Sequence, residues 1–174
     1  MNVLALVLLG LTAVVGLGLA FVGRSVAPPV RAAAMATLLA GTAAASWAGG
    51  DGSDGVLGAA AVLGVLASVT GGGPVATGVL HAADPAAVGV RGGAQDPELL
   101  RGGAWIGVLE RAALTGTLLA GWPEGLAVVL AVKGLGRFDE LRQTPAAAER
   151  FIVGTLASAL WAAACAGIVV LLRL

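Results

Sequence analysis

Charge is what this sequence has least of. Only 11% of its 174 residues are Asp, Glu, Lys or Arg, against about 25% in an ordinary soluble domain, so water is not its main solvent. The ten basic and ten acidic residues cancel, which removes the usual electrostatic argument for a nucleic-acid partner or a strongly basic surface. Cys165 is the single cysteine, so an intrachain disulfide is excluded, as is any CxxC redox pair or Cys-based zinc site. His81 is the single histidine and suits a surface or packed role better than metal ligation. Neither a G-x-x-x-x-G-K-[ST] loop nor a G-x-G-x-x-G after a strand occurs. No metal site, cofactor or nucleic acid is therefore expected.

What fills the chain instead is apolar: 58% of residues are hydrophobic and the mean hydropathy is +0.95. A bilayer core of about 30 Å needs about 20 mainly apolar residues per helix. Six segments approach this, at 3–22, 32–49, 55–70, 103–121, 123–138 and 151–172. The first lacks the positive start of a signal peptide, and its apolar run is longer than the roughly 7–15 residues of a signal h-region. It reads as a retained membrane helix. The expectation is all-α: one polytopic membrane helical bundle over 1–174 with about six transmembrane helices.

Pro and Gly punctuate the spans. "GRSVAPPVR", "GGDGSDG" and "GWPEG" are connections, with Pro123 at a helix start and Glu124 in its first turn. Thr144 is a natural N-cap for a helix running from Pro145, long enough for its first two turns to protrude. Arg24, Arg31, Arg91, Arg101, Arg137, Arg142 and Arg150 all fall in or beside the first, third and fifth connections, and none in the second or fourth. The excess of basic residues on the cytoplasmic side then places the chain in a cell membrane with both termini outside. The third connection, 71–102, reads as cytoplasmic: Gly71-Gly72-Gly73-Pro74 ends the third span, and a short interfacial helix and a loop follow. The alternative is a span broken by those glycines to line a site, as in transporters.

The segment "WIGVLERAALTGTLLAGW" carries Glu110 and Arg111 near its middle. A charge at that depth costs about 2.5–3.5 kcal/mol facing lipid, so it should turn inward to a partner. The tight turn near Gly121 and Trp122 makes residues whose numbers sum to about 243–245 equal in height, and Glu110 and Lys133 sum to 243. An ion pair between them is expected. Arg111 lies about 100 degrees round the helix, either reaching to the cytoplasmic surface or pairing with another helix's acid, Glu149 being best placed. Lys133 and Arg137 share a face. Beyond Glu149 and Arg150, a rise of about 1.5 Å per residue brings Thr155 and Ser158 to the layer of Glu110. Gly154, Ser158, Ala162 and Ala166 form a small-residue stripe for close packing. The last three spans should thus enclose a polar centre.

The words "WIGVLER", "KGLGRF" and "ERFIVGTLAS" resemble the C-terminal part of an uncharacterised family of small prokaryotic membrane proteins, with IG-x-LER, K-x-x-x-RF and E-x-x-x-x-GTL-x-S helices. The match takes in Ile106, Gly107, Leu109, Glu110, Arg111, Lys133, Arg137, Phe138, Glu149, Gly154, Thr155, Leu156 and Ser158 and covers about residues 105–160. It implies a bacterial inner membrane and a charged set that acts together, and supplies no activity.

Structural readings stand beside functional ones. The Glu110–Lys133 pair could fix helix register or handle a ligand. Arg137, Arg142 and Arg150 suit topology or anionic headgroups, Thr155 and Ser158 suit interhelical bonds, and Trp47, Trp105, Trp122 and Trp161 suit interface anchoring or packing. One function expected is binding or conducting a small solute, ion or anionic lipid headgroup. Another is an assembly subunit docking on itself or on a membrane partner, its cluster only fixing helix packing. An intramembrane enzyme is least supported, because one carboxylate with no histidine and no activated nucleophile makes a poor catalytic set.

Overall fold

A computed structural model describes residues 2–22, 26–49, 52–84, 103–138, 142 and 145–173. Among them the chain is all-helical, without strands: α1 (Asn2–Val22), α2 (Pro28–Trp47), α3 (Asp54–Ala83), α4 (Gly103–Leu119), α5 (Glu124–Gly136) and α6 (Pro145–Leu171). Arg24, Asp51, Thr144 and the connection bearing Arg91 and Arg101 lie outside the described residues.

Local signals explain most boundaries. Pro28 and Pro29 open α2, where a missing N–H costs nothing. Pro123 precedes α5, and Glu124 occupies its first turn. Gly121 closes α4 at a φ of 73°, with Trp122 N–H donating to the Thr117 carbonyl at 2.9 Å and Gly121 N–H to Leu118 at 3.1 Å. This left-handed glycine with its paired reverse bonds folds α5 straight back onto α4.

Among the described residues, three helices contain stretches long and apolar enough to cross a membrane: Asn2–Phe21, Asp54–Ala83 and Ala147–Leu171. The six-span expectation is to that extent coarser in the structure. Helix α5 is the shortest of the six described helices and falls well short of the roughly 20 residues that a span needs. The helices' outer faces are nevertheless apolar, with Val7, Val14, Leu109, Val132 and Leu160 exposed.

The expectation most changed concerns α3. Its helix does not stop at Gly71; it runs 30 residues through Gly71-Gly72-Gly73-Pro74 to Ala83, so the part of 71–102 read as loop and separate interfacial helix is in fact one continuous helix as far as Ala83. Three glycines weaken a helix by about 1 kcal/mol each relative to Ala, and Pro74 withholds the N–H that Thr70 would receive. Packing overrides both: Gly71, Gly72, Pro74 and Gly78 are all buried, and a Cβ on Gly71 would collide with Trp161 and with Met35. The glycines let α2, α4 and α6 approach α3 closely.

Consequently α3 is the hub. It packs against α1, α2, α4 and α6, whereas α5 packs chiefly on α4. One core cluster joins Leu9, Ala13, Met35, Leu39, Ala67, Trp161, Cys165 and Ile168; another joins Ala5, Ala45, Ala60, Val169 and Leu172. Alanine recurs in both, as close interhelical contact without bulk requires. At one end, Gly52 N–H donates to the Leu172 carbonyl at 2.8 Å. At the other, Arg150 meets Asp84 at 3.1 Å.

Candidate functional site

The turn at Gly121 sets α4 and α5 in register, and Lys133 Nζ stands 2.6 Å from Glu110 Oε2. This is the pairing that hairpin arithmetic leads to. Side-chain exposure is 20% for Lys133 and 11% for Glu110, so the pair is largely desolvated. From the other side α6 brings up Phe151, whose ring centroid is 5.4 Å from Nζ, close enough for a cation–π contact. The second carboxylate oxygen, Glu110 Oε1, is buried without a hydrogen-bond partner among the described residues, and so is Thr155 Oγ1.

Arg111 departs from expectation. It neither reaches the surface nor pairs with Glu149; it is only 7% exposed and points into α3. Its Nε donates to the Val69 carbonyl at 3.1 Å and Nη2 to the same oxygen at 2.9 Å, while Nη1 donates to Ser158 Oγ at 3.4 Å. The physical reason is the slot at Gly72. A Cβ there would overlap Arg111 Cδ and stand 2.8 Å from Nε and 3.2 Å from Trp161 Cδ1. A glycine at that position admits a guanidinium to the α3 backbone.

Two further bonds fall within the same stretch of α3. Thr115 Oγ1 donates to Ser68 Oγ at 2.7 Å, both residues being fully buried, and Trp161 Nε1 donates to the Ala67 carbonyl at 3.1 Å. Donors from α4 and α6 thus reach three consecutive residues of α3. In an apolar surrounding each such bond matters, because a buried polar group left unpaired is costly.

The remaining expected residues lie apart from this layer. Arg150 is paired with Asp84, both partly exposed. Arg142 sits over Phe138, 5.5 Å from the ring centroid. Arg137 and Glu149 are exposed. The structure therefore brings together Glu110 and Lys133 beside Phe151, and Arg111 with Ser158; Thr155 stands on α6 between Phe151 and Ser158, while Arg137, Glu149 and Arg150 belong to the end of the bundle. Of the stripe on α6, Ser158, Ala162 and Ala166 are buried, and Gly154 packs against Leu80.

Sequence reasoning allowed Trp161 a packing role, and that residue is buried; what it missed are Ser68, the Val69 carbonyl, Thr115 and the indole bond of Trp161 to Ala67. Ser68 and Thr115 are hydroxyls inside otherwise apolar spans and were open to being marked. A carbonyl acceptor carries no sequence signal, although the glycine run beside it does.

No protein-family model, curated protein or solved structure matches this chain.

Proposed function

We propose that this chain is a small multi-pass membrane protein that binds or conducts a small solute, ion or anionic lipid headgroup at the layer formed by Glu110, Lys133, Arg111, Thr155 and Ser158. The observation that carries the reading is incomplete satisfaction. Among the described residues, Glu110 Oε1 of the largely desolvated ion pair and Thr155 Oγ1 on α6 are both buried and unpartnered. A set serving only to hold helices together has no use for such orphans, since each lowers stability by about 1–3 kcal/mol. A set that receives a ligand or water in passage does.

The same reading takes all six helices as membrane elements, with the bilayer thinning or neighbouring helices compensating at short α5. Its orientation rests on Arg31, Arg137, Arg142 and Arg150, which belong to helix ends that the alternating chain direction brings to one side. The suggested kinship with small prokaryotic membrane proteins rests on the three motifs of α4, α5 and α6. An inner-membrane location rests on that kinship and on the arginine asymmetry.

A second reading, an assembly subunit whose cluster only fixes packing, draws support from the three side-chain connections that tie α4 and α6 to residues 67–69. Glu110→Gln separates the two. The variant is compared with the parent for thermal stability in detergent and for flux of sodium, potassium, chloride and phosphate, and retention of anionic lipid, in vesicles. The ligand reading expects near-parental stability with flux or retention lost. Lowered stability with both unchanged establishes the packing role and refutes the ligand reading.

A further inference from the structure

Among the described residues, the layer contains one positive charge too many. Lys133 is matched by Glu110 at 2.6 Å, but Arg111, more deeply buried, has only a backbone carbonyl and a serine hydroxyl as hydrogen-bond partners. Guanidinium does not lose its proton in proteins. Neutral dipoles satisfy its directionality without cancelling its charge, a costly state away from water. Glu110 attracts this charge as well, but it is one carboxylate set against two cations, Lys133 and Arg111.

Guanidinium also has donors left over. Of its five N–H groups, two converge on Val69 O and one reaches Ser158 at 3.4 Å, a long contact for a hydrogen bond. One N–H on each terminal nitrogen remains. These two nitrogens lie against Gly107, where a Cβ would stand 3.0 Å from Nη1 and 3.6 Å from Nη2, so any larger residue there would crowd that end of the fork. Thr155 lies three residues before Ser158, about 4.5 Å along the same face of α6, and its buried hydroxyl has no partner among the described residues.

We propose that Arg111 is the anchor of a site for a singly charged oxyanion, a carboxylate or phosphodiester, held by the free Nη1 and Nη2 edge beside Gly107 and by the Thr155 hydroxyl. Charge decides the sign of the ligand, and the planar fork favours two oxygens over a spherical halide. This deepens the ligand reading above and rests on it, while naming a different anchor from the Glu110–Lys133 pair. The oxyanion has two sources, a free solute or the headgroup of an anionic lipid.

Trp161 is a built-in reporter, since its Cδ1 and Arg111 Nε both border the Cβ position of Gly72. The full chain carrying Trp47→Phe, Trp105→Phe and Trp122→Phe leaves it as the sole indole. In one arm acetate or phosphate replaces chloride at constant ionic strength in lipid-free detergent. In the other, phosphatidylglycerol replaces phosphatidylcholine in nanodiscs. A saturable change of Trp161 emission in the first arm assigns a free solute, and one confined to the second assigns a headgroup. Arg111→Gln should weaken the response at least about tenfold, the size expected from losing charge-assisted bonds. Thr155→Val, which breaks no native bond, and Gly107→Ala, which covers the fork, should weaken it several-fold with melting temperature retained. Absence of a saturable response in both arms overturns the proposal, as does equal affinity in the three variants. If Glu110→Gln nevertheless abolishes flux, only the oxyanion assignment fails; if it does not, the ligand reading fails with it.

Discussion

The three consecutive glycines of α3 should respond differently to alanine, and their order of response tests why the helix continues through them. At Gly72 an added Cβ has no room: it would overlap Arg111 Cδ and come within 2.8 Å of Nε. Arg111 must withdraw, and its two bonds to Val69 are lost. Overpacking costs about 1–3 kcal/mol, and interhelical polar bonds in membranes contribute about 0.6–2 kcal/mol each. Alanine returns about 1 kcal/mol of helix propensity. The net expectation for Gly72→Ala is a loss of about 2–4 kcal/mol. At Gly73 nothing lies within 4 Å of the Cβ position. There the propensity gain is opposed by the steric restriction on any residue preceding proline, so Gly73→Ala should stay within about 1 kcal/mol of the parent. The assay is reversible unfolding in mixed detergent micelles, followed by helical circular dichroism, with Trp161 emission as a local probe. Equal losses at the two positions, or a larger one at Gly73, would refute the account of the glycine run as a slot for Arg111.

Other consequences follow from the same contacts. Thr115→Val leaves Ser68 Oγ buried without its donor, and a loss of about 1–3 kcal/mol is expected; adding Ser68→Ala should recover part of it in the same unfolding assay. Arg150→Ala removes a pair that is 32% and 45% exposed, and should change the unfolding free energy by no more than about 1 kcal/mol. Trp161→Phe keeps the ring packing and deletes one bond to the Ala67 carbonyl, for a loss of about 1 kcal/mol. A drop as large as that of Gly72→Ala would show that the indole N–H holds α3 more strongly than the guanidinium does.

How far the sequence discloses this molecule depends on whether the cause is local. Helix ends at Pro28, Gly121 and Glu124 are set by residues within one turn of the boundary, and they are readable. The Glu110–Lys133 pair is readable for the same reason, because a tight turn converts numbering into height. The continuation of α3 is not. By local rules Gly71-Gly72-Gly73-Pro74 ends a helix, and what reverses that outcome is Trp161, Met35 and Arg111 arriving from helices far away in the chain. The direction taken by Arg111 was hidden likewise. Charge logic offered Glu149, an acid with a visible letter, whereas its acceptor is a backbone carbonyl that every residue possesses.

These two misreadings have one physical origin. A glycine run next to a buried arginine makes a joint in which each explains the other: without the glycines the guanidinium has no path to the α3 backbone, and without the packed side chains the glycines would break the helix. The joint satisfies the direction of three guanidinium N–H groups, while for its charge Arg111 shares one carboxylate, Glu110, with Lys133. Helix packing alone would be met more cheaply by an apolar side chain in the same slot, since replacing buried ionic groups with apolar ones of similar volume is often neutral or stabilising. Retaining a cation in this place, with a glycine at 107 where a side chain would crowd the fork and, among the described residues, Thr155 unpartnered one turn from Ser158, fits a layer shaped for an incoming negative charge better than one shaped to hold two helices together.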